Sequence, residues 1–226
     1  MPKGIIINCG AVIIGGIVGL LLKKIIPDKL KNALFVYFGF GAMAIGIISI
    51  VKLKSLPVVV LSLILGAVIG ELLNIEGGIR KGIKYVLNKF AQEEKGSEKL
   101  DNLAMAFAIF CFSGTGLYGA LNEGFTGDSS VLMAKSALDF FTAAIFATSA
   151  GIAISLISIP QFLIFICLYF GAKGLGQRLP SAAISNFISI GGIITFMLGI
   201  SIAKIKQVKV LNCIPSFVIV VLMSFL

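Results

Sequence analysis

The chain contains no histidine, and only 10 of its 226 residues are acidic. Without histidine, His-based zinc centres and Ser-His nucleophilic dyads are excluded. Charged residues make up 13% of the chain, against roughly 25% in soluble domains. Hydrophobic residues reach 58% and mean hydropathy is +1.07. That balance excludes an ordinary soluble domain and predicts an all-α integral membrane protein, one transmembrane domain over residues 1–226. Cysteine is scarce as well. Cys9, Cys111, Cys167 and Cys213 all fall within apolar segments, which argues against an extracellular disulfide framework and reads them as packing residues. The shortage of acid leaves a formal net charge of +9. Because the Lys and Arg residues are spread among short loops, anionic lipid and membrane orientation explain the charge, and no nucleic-acid partner is expected.

Stretches of about 17 to 25 apolar residues suffice to cross the hydrocarbon layer as helices. Eight are expected: Ile5 to Leu22, Leu34 to Val51, Pro57 to Leu73, Leu103 to Leu121, Val131 to Leu156, Ile159 to Ala172, Ile184 to Ala203 and Val210 to Leu226. The sixth is short unless it borrows from its neighbours. The Met-Pro-Lys start resembles the head of a signal peptide, but no small-x-small cleavage site follows, so the first span reads as retained. Eight crossings put 13 Lys or Arg on one face and 6 on the other. The positive-inside rule then makes the first face cytoplasmic and both termini external. Between spans three and four, Glu76 to Asp101 sets Ile79, Ile83, Val86, Leu87 and Phe90 on one helical face and Arg80, Lys81, Lys84 and Asn88 on the other. Such an amphipathic segment is expected to lie along the cytoplasmic headgroups, with partner docking as the alternative.

Pro27 stands 19 positions before Gly46, and Pro180 stands 19 positions before Gly199. Each glycine leads into an Ile-Ser-Ile run and a Lys-x-Lys pair. In the eight-span topology these weakly similar copies, spans one to three and six to eight, cross in opposite directions as an inverted repeat. Small residues at every fourth position (Ala11, Gly15 and Gly19; Ala42 and Gly46; Gly66 and Gly70; Gly191, Thr195 and Gly199) suit close helix packing. They suit a homodimer contact equally well. An alternative reading makes Gly39, Gly41, Gly114, Gly116, Gly191 and Gly192 sites of broken helices whose free backbone groups face a solute.

The segment "GDSSVLMAKSALDFF" opens with helix-capping residues, Asp128, Ser129 and Ser130, and then carries Lys135 and Asp139 four positions apart on one helical face, which Thr142 continues. Lys135 is near enough to the outer end to snorkel into headgroups. Asp139 stands roughly 13 Å into the helix at 1.5 Å per residue. An acid at such depth costs about 2.5 to 3.5 kcal/mol on insertion scales, so it is expected to face the bundle interior or a wet cavity. Its pairing with Lys135 as a purely structural unit is the competing reading. Weaker in-span signals are Asn8, Glu71, Asn212, and Ser113 with Thr115, whose hydroxyls can bond their own helix backbone. Glu71 reads as an interfacial residue before a ligand.

An intramembrane aspartyl protease would need a second buried acid near Asp139. Gly127-Asp128 resembles the end of a Gly-x-Gly-Asp motif, but Phe125 stands where the first glycine belongs and no Tyr-Asp pair exists. No catalytic residue, metal or cofactor is therefore expected.

The runs "INCGAVIIGGIVGLLLKKIIPDKLK", "LILGAVIGELLNIEG" and "GDSSVLMAKSALDF" resemble the YdfK/YqgA-like family of bacterial membrane proteins, a family of unknown function numbered 554. The resemblance runs over nearly the whole chain. It implies a bacterial inner-membrane protein and no particular substrate. Asn8, Glu71, Asp128, Ser130, Lys135, Ser136 and Asp139 occupy positions of the family motifs. The fourth span departs, with Cys111-Phe-Ser-Gly-Thr-Gly-Leu where members resemble Cys-x-Gly-Ala-Met-Ala-Ile. The expected function is transport of a small solute or ion at a midplane site including Asp139. A cation or coupled proton is slightly favoured by the lone acid, and an anion at half-helix amino ends is the alternative. A channel, or a non-transporting scaffold or sensor acting through the amphipathic segment, are the competing functions.

Overall fold

In hydrocarbon every backbone N–H and C=O must be satisfied within the protein, and runs of Ile, Leu, Val, Ala and Gly with proline confined to N-caps and first turns do so as helices. The computed structural model describes residues 1–25, 27–90, 97–175 and 180–224. Its helices are α1 (Lys3–Leu22), α2 (Asp28–Ile50), α3 (Leu56–Leu72), α4 (Ile75–Phe90), α5 (Ser97–Phe112), α6 (Gly114–Thr126), α7 (Ser130–Ala150), α8 (Ala153–Leu156), α9 (Ser158–Leu175), α10 (Ser181–Ile202) and α11 (Pro215–Met223). A 3-10 turn at Val210–Cys213 precedes α11, and no strand occurs among the described residues. The architecture is a polytopic membrane helix bundle.

Among the described residues six stretches are long and apolar enough to cross a bilayer: Lys3–Leu22, Asn32–Ile50, Leu100–Thr126, Ser130–Ala150, Ala153–Gly174 and Ser181–Ile202. The other two of the eight expected segments are shorter. Helix α3 has 17 residues and meets α4 at a 58° bend, and Val210–Met223 is a shorter apolar stretch. These two lie antiparallel, with Gly66 against Ser216 and Gly70 against Asn212.

The boundary between spans five and six differs from expectation. Helix α7 ends at Ala150, and Gly151 adopts φ 71° and ψ −157°, a region essentially restricted to glycine. The chain reverses there, and residues 153–156 join the sixth crossing instead of the fifth. With them, Ala153–Gly174 is 22 residues long, about 33 Å at 1.5 Å per residue, so the sixth span has full length. In α4, Ile79 and Ile83 pack against the core while Arg80 pairs with Glu76 at 3.0 Å and Asp101 at 2.5 Å. The side chains of Lys84, Val86, Leu87, Asn88 and Phe90, and residues 91–96 and 176–179, lie outside what is described.

Helices meet through glycine. Helices α1 and α7 run parallel, with Gly15 against the Phe140 carbonyl and Gly19 against that of Ala144. Helices α2 and α10 run antiparallel. A Cβ added at Gly39 would lie 2.7 Å from the Gly199 carbonyl oxygen, and one at Gly46 would lie 2.8 Å from that of Gly192. Because α2 and α10 are continuous, Gly41 breaks no helix, and neither do the packed glycines Gly39, Gly191 and Gly192. Their missing side chains allow backbones to touch, which replaces the hydrophobic drive absent between helices in lipid. The break falls at Ser113, between α5 and α6, where Gly114 rests on the backbone of Gly191 and Gly192.

Amides at or just before the starts of three helices are bonded from a distance. The Glu123 carboxylate accepts from Gly4 N–H (2.8 Å) and Ile5 N–H (3.3 Å) of α1. Asn186 Oδ1 accepts from the amides of Lys54 and Ser55 at the start of α3. Asn212 Oδ1 accepts from Glu76 N–H at the start of α4 (2.8 Å). Each cap removes orphan donors that every helix start carries. All four cysteines are free; Cys9, Cys111 and Cys213 are buried, and Cys167 is exposed on α9 instead of packed.

If backbone contact at the α2–α10 crossing holds the bundle, Gly46→Leu destabilises the protein by about 1 to 3 kcal/mol or more through overpacking. Gly10, whose Cβ would meet nothing within 4 Å, tolerates leucine within about 0.5 kcal/mol. Thermal unfolding of both variants in detergent checks this contrast.

Candidate functional site

The depth of Asp139 raises the question of what solvates it. The carboxylate is buried, and it forms an ion pair with the equally buried Lys135 one turn earlier on α7. The i, i+4 spacing on a helix brings the two side chains together. Lys135 therefore does not snorkel into headgroups; its ammonium also stands 6.0 Å from the centroid of the Phe110 ring. From α1, Asn8 Nδ2 donates to Asp139 Oδ2 at 2.8 Å. From α9, Gln161 Nε2 donates to Asn8 Oδ1 at 2.7 Å. A polar chain Lys135, Asp139, Asn8, Gln161 thus crosses three helices, and Asn8 and Gln161 are fully buried. The far end is open: Gln161 Oε1 is buried with no hydrogen-bond partner.

Lys135 and Asp139 line a cavity of about 240 Å³ between α2, α5, α6, α7 and α10, together with Ser113, Thr115, Thr142 and Thr195. Its remaining wall is apolar and includes Tyr37, Phe38, Gly41, Ile45 and Ile202. Three of the hydroxyls serve the backbone. Ser113 Oγ accepts from Gly116 N–H and caps α6. Thr142 donates to the Leu138 carbonyl, and Thr195 donates to the Gly191 carbonyl while accepting from Gly114 N–H at 3.2 Å. Thr115 differs: among the described residues no hydrogen bond engages its hydroxyl. The broken helix, the buried charge pair and an unengaged hydroxyl converge on one space.

Of the residues singled out in the sequence, Lys135, Asp139, Thr142, Ser113, Thr115 and Gly41 line this cavity, and Asn8 holds Asp139 from behind. Ser136 does not take part, since its hydroxyl donates to the Leu132 carbonyl at 2.7 Å. Gly116 packs against Phe165 and the Lys135 stem. Glu71 is remote. It stands at the end of α3, more than half exposed, bonded to Lys209 (2.5 Å) and Asn212. Asp128 is structural, accepting from the amide and hydroxyl of Ser130 at 2.9 Å, and these bonds hold its carboxyl below its ordinary range.

Buried polar residues that escaped the sequence reading include Gln161, Glu123 and Asn186. Glu123 lay just past the expected end of span four at Leu121, and the crossing in fact runs on to Thr126. Gln161 is one amide in a helix otherwise dominated by Phe, Leu and Ile.

A buried charge left alone costs about 3 to 5 kcal/mol, whereas replacing a whole buried pair by apolar residues is neutral or stabilising. Lys135→Met is accordingly expected to lower stability by about that amount, and Lys135→Met with Asp139→Leu to recover most of it. Equal losses in the two proteins, read by thermal unfolding, would contradict the pairing.

A family model described as "Protein of unknown function (DUF554)" matches residues 3–225. The chain is 38% identical over 227 residues to the uncharacterized protein YqgA of Escherichia coli (strain K12), covering 99% of this chain and 97% of that protein. It is 29% identical over 220 residues to the uncharacterized membrane protein YdfK of Bacillus subtilis (strain 168), covering 96% and 93%. No solved structure matches the chain. With nearly its full length accounted for by one family model, the chain belongs to the DUF554 family of membrane proteins.

Proposed function

We propose that the protein is a secondary transporter of a small solute or ion, working by alternating access around the Asp139 cavity. The observation that carries this reading is reciprocal contact between matched positions. Asn8 and Gln161 stand 153 residues apart, and so do Pro27 and Pro180, Gly39 and Gly192, and Gly46 and Gly199. Gly39 touches Gly199, and Gly46 touches Gly192; Asn8 bonds Gln161 itself. When residue i meets j′ and j meets i′, the contact is of the self-complementary kind that a twofold axis produces. An axis lying in the membrane plane, relating α1, α2 and α3 to α9, α10 and α11, is the symmetry of inverted-repeat transporters. The half-helix α6, opening at mid-span onto a largely apolar cavity that holds the Lys135–Asp139 pair, is the companion feature of that class.

In this reading the protein sits in the bacterial inner membrane with both termini outside, since 13 of 19 Lys and Arg then face the cytoplasm. A channel has no need of rocking, and a scaffold has no need of a solute.

The test locks the rocking helices. Lys204 Nζ donates to Asn32 Oδ1 at 3.1 Å, joining the end of α10 to the start of α2. With the four native cysteines replaced by alanine, Asn32→Cys and Lys204→Cys are bridged by a short bis-maleimide in proteoliposomes. A transporter loses flux on cross-linking and a channel keeps it. Asp139→Asn, folded as judged by gel filtration, is expected to abolish flux; unchanged flux contradicts the reading.

A further inference from the structure

A second and more open cavity, about 420 Å³, lies at the opposite end of the α2–α10 pair from the Asp139 cavity. It is formed by residues just after α2, by the first two turns of α10 and by Tyr118 of α6. Lys52 and Lys54 line it, and the Lys52 ammonium sits 4.7 Å from the centroid of the Tyr118 ring. Among the described residues no carboxylate lines it or pairs with either lysine. Ser181 and Ser185 are its other polar side chains. Tyr118 and Thr115 stand three residues apart on α6, roughly 4.5 Å along the axis at 1.5 Å per residue. One helical turn, braced by Gly114 on Gly191, therefore separates the two cavities.

Among the described residues the fixed charges along this line are Lys52, Lys54 and Lys135, opposed by Asp139. A cation entering this way would pass two unpaired ammonium groups and then meet a carboxylate already neutralised by Lys135. An anion would be drawn in, since a cleft lined by one sign of charge concentrates ions of the other. The ammonium of Lys135 can serve it only if Asp139 releases that ammonium. Protonation of Asp139 does so, and one anion plus one proton leaves the net charge of the buried site unchanged. The groups facing Asp139 allow this. They are Lys135 on α7, Asn8 and Cys9 on α1, Cys111 on α5, Gln161 on α9 and, across the cavity, Tyr37 on α2. Among the described residues none is a second carboxylate that would compete for the proton.

We infer that the solute is a small anion, attracted by Lys52 and Lys54, bound by the Lys135 ammonium with the unengaged Thr115 hydroxyl as second donor, and carried with one proton on Asp139. This inference rests on the transport reading and adds the class of the solute and its coupling. It also reverses the cation preference drawn from the lone acid in the sequence, because Lys135 is turned inward onto that acid instead of outward to headgroups. Each cycle moves one anion and one proton together, so no net charge crosses the membrane.

The test uses wild-type proteoliposomes with a pH gradient, acidic on the side of the Lys52 cavity, and a panel of chloride, nitrate, L-lactate, rubidium, methylammonium and glycerol. The expected result is gradient-driven accumulation of at least one of the anions, collapsed by a protonophore with potassium clamped across the membrane. Lys52→Ala with Lys54→Ala is expected to raise the KM for that anion roughly tenfold at low salt, with the difference shrinking at high salt. Because Lys135→Gln can misfold, the paired variant Lys135→Gln with Asp139→Asn is used instead; it should lose the thermal protection that the anion gives the wild type. Movement of rubidium or methylammonium without any anion overturns the inference and leaves the transport reading standing. Movement of nothing in the panel overturns both.

Discussion

A charge held inside a bilayer must carry its own solvent, and that requirement organises the centre of this molecule. Asp139 is solvated by a lysine on its own helix, an asparagine on α1 and, through it, a glutamine on α9. Helix α1, remote in sequence, is thereby fixed against α7 and α9 at one depth. The same rule governs helix starts. Glu123, Asn186 and Asn212 reach across to amides at or just before the starts of other helices, doing what water does at the ends of helices in soluble proteins. Buried hydroxyls such as Ser136 and Thr142 bond their own helices, whereas the buried Asn8, Glu123, Asn186 and Asn212 mark where elements are tied together.

Around these ties the helices approach by the absence of side chains. The glycine contacts of α2 on α10 and of α1 on α7 bring backbones into contact, while large aliphatic side chains such as Ile14, Leu65 and Ile69 remain exposed on the outside. An interface of small residues has little interdigitation to undo when one helix slides on another. That property suits the α2–α10 pair to motion, and the cavity bordered by Lys135 and Asp139 lies along it.

Much of this was legible in the chain. The helical spacing of Lys135 and Asp139, the cost of an acid at that depth and the apolar spans all follow from periodicity and transfer free energy. The family motifs pointed to Asn8 but not to its bond with Asp139, because 131 residues separate them. Gln161 was invisible as a single amide in an apolar helix, although the 153-residue offset that matches Pro27 to Pro180 also leads from Asn8 to it. Glycine misled most. Gly39, Gly191 and Gly192 pack unbroken helices, whereas the break falls at Ser113 and Gly114, and composition alone cannot separate a glycine that bends a chain from one that admits a neighbour. The short sixth span was an error of boundary, since Gly151 turns the chain before residues 153–156.

The central claim is that the Lys135–Asp139 pair borders water rather than acyl chains. Thiol labelling tests it most directly. In a cysteine-free background, Thr142→Cys and Thr115→Cys on the cavity wall, and Leu65→Cys on the lipid-facing side of α3, are exposed in proteoliposomes to a charged, membrane-impermeant methanethiosulfonate. The account requires rapid modification of the two cavity positions and none of the third; inert thiols at both 115 and 142 would contradict it.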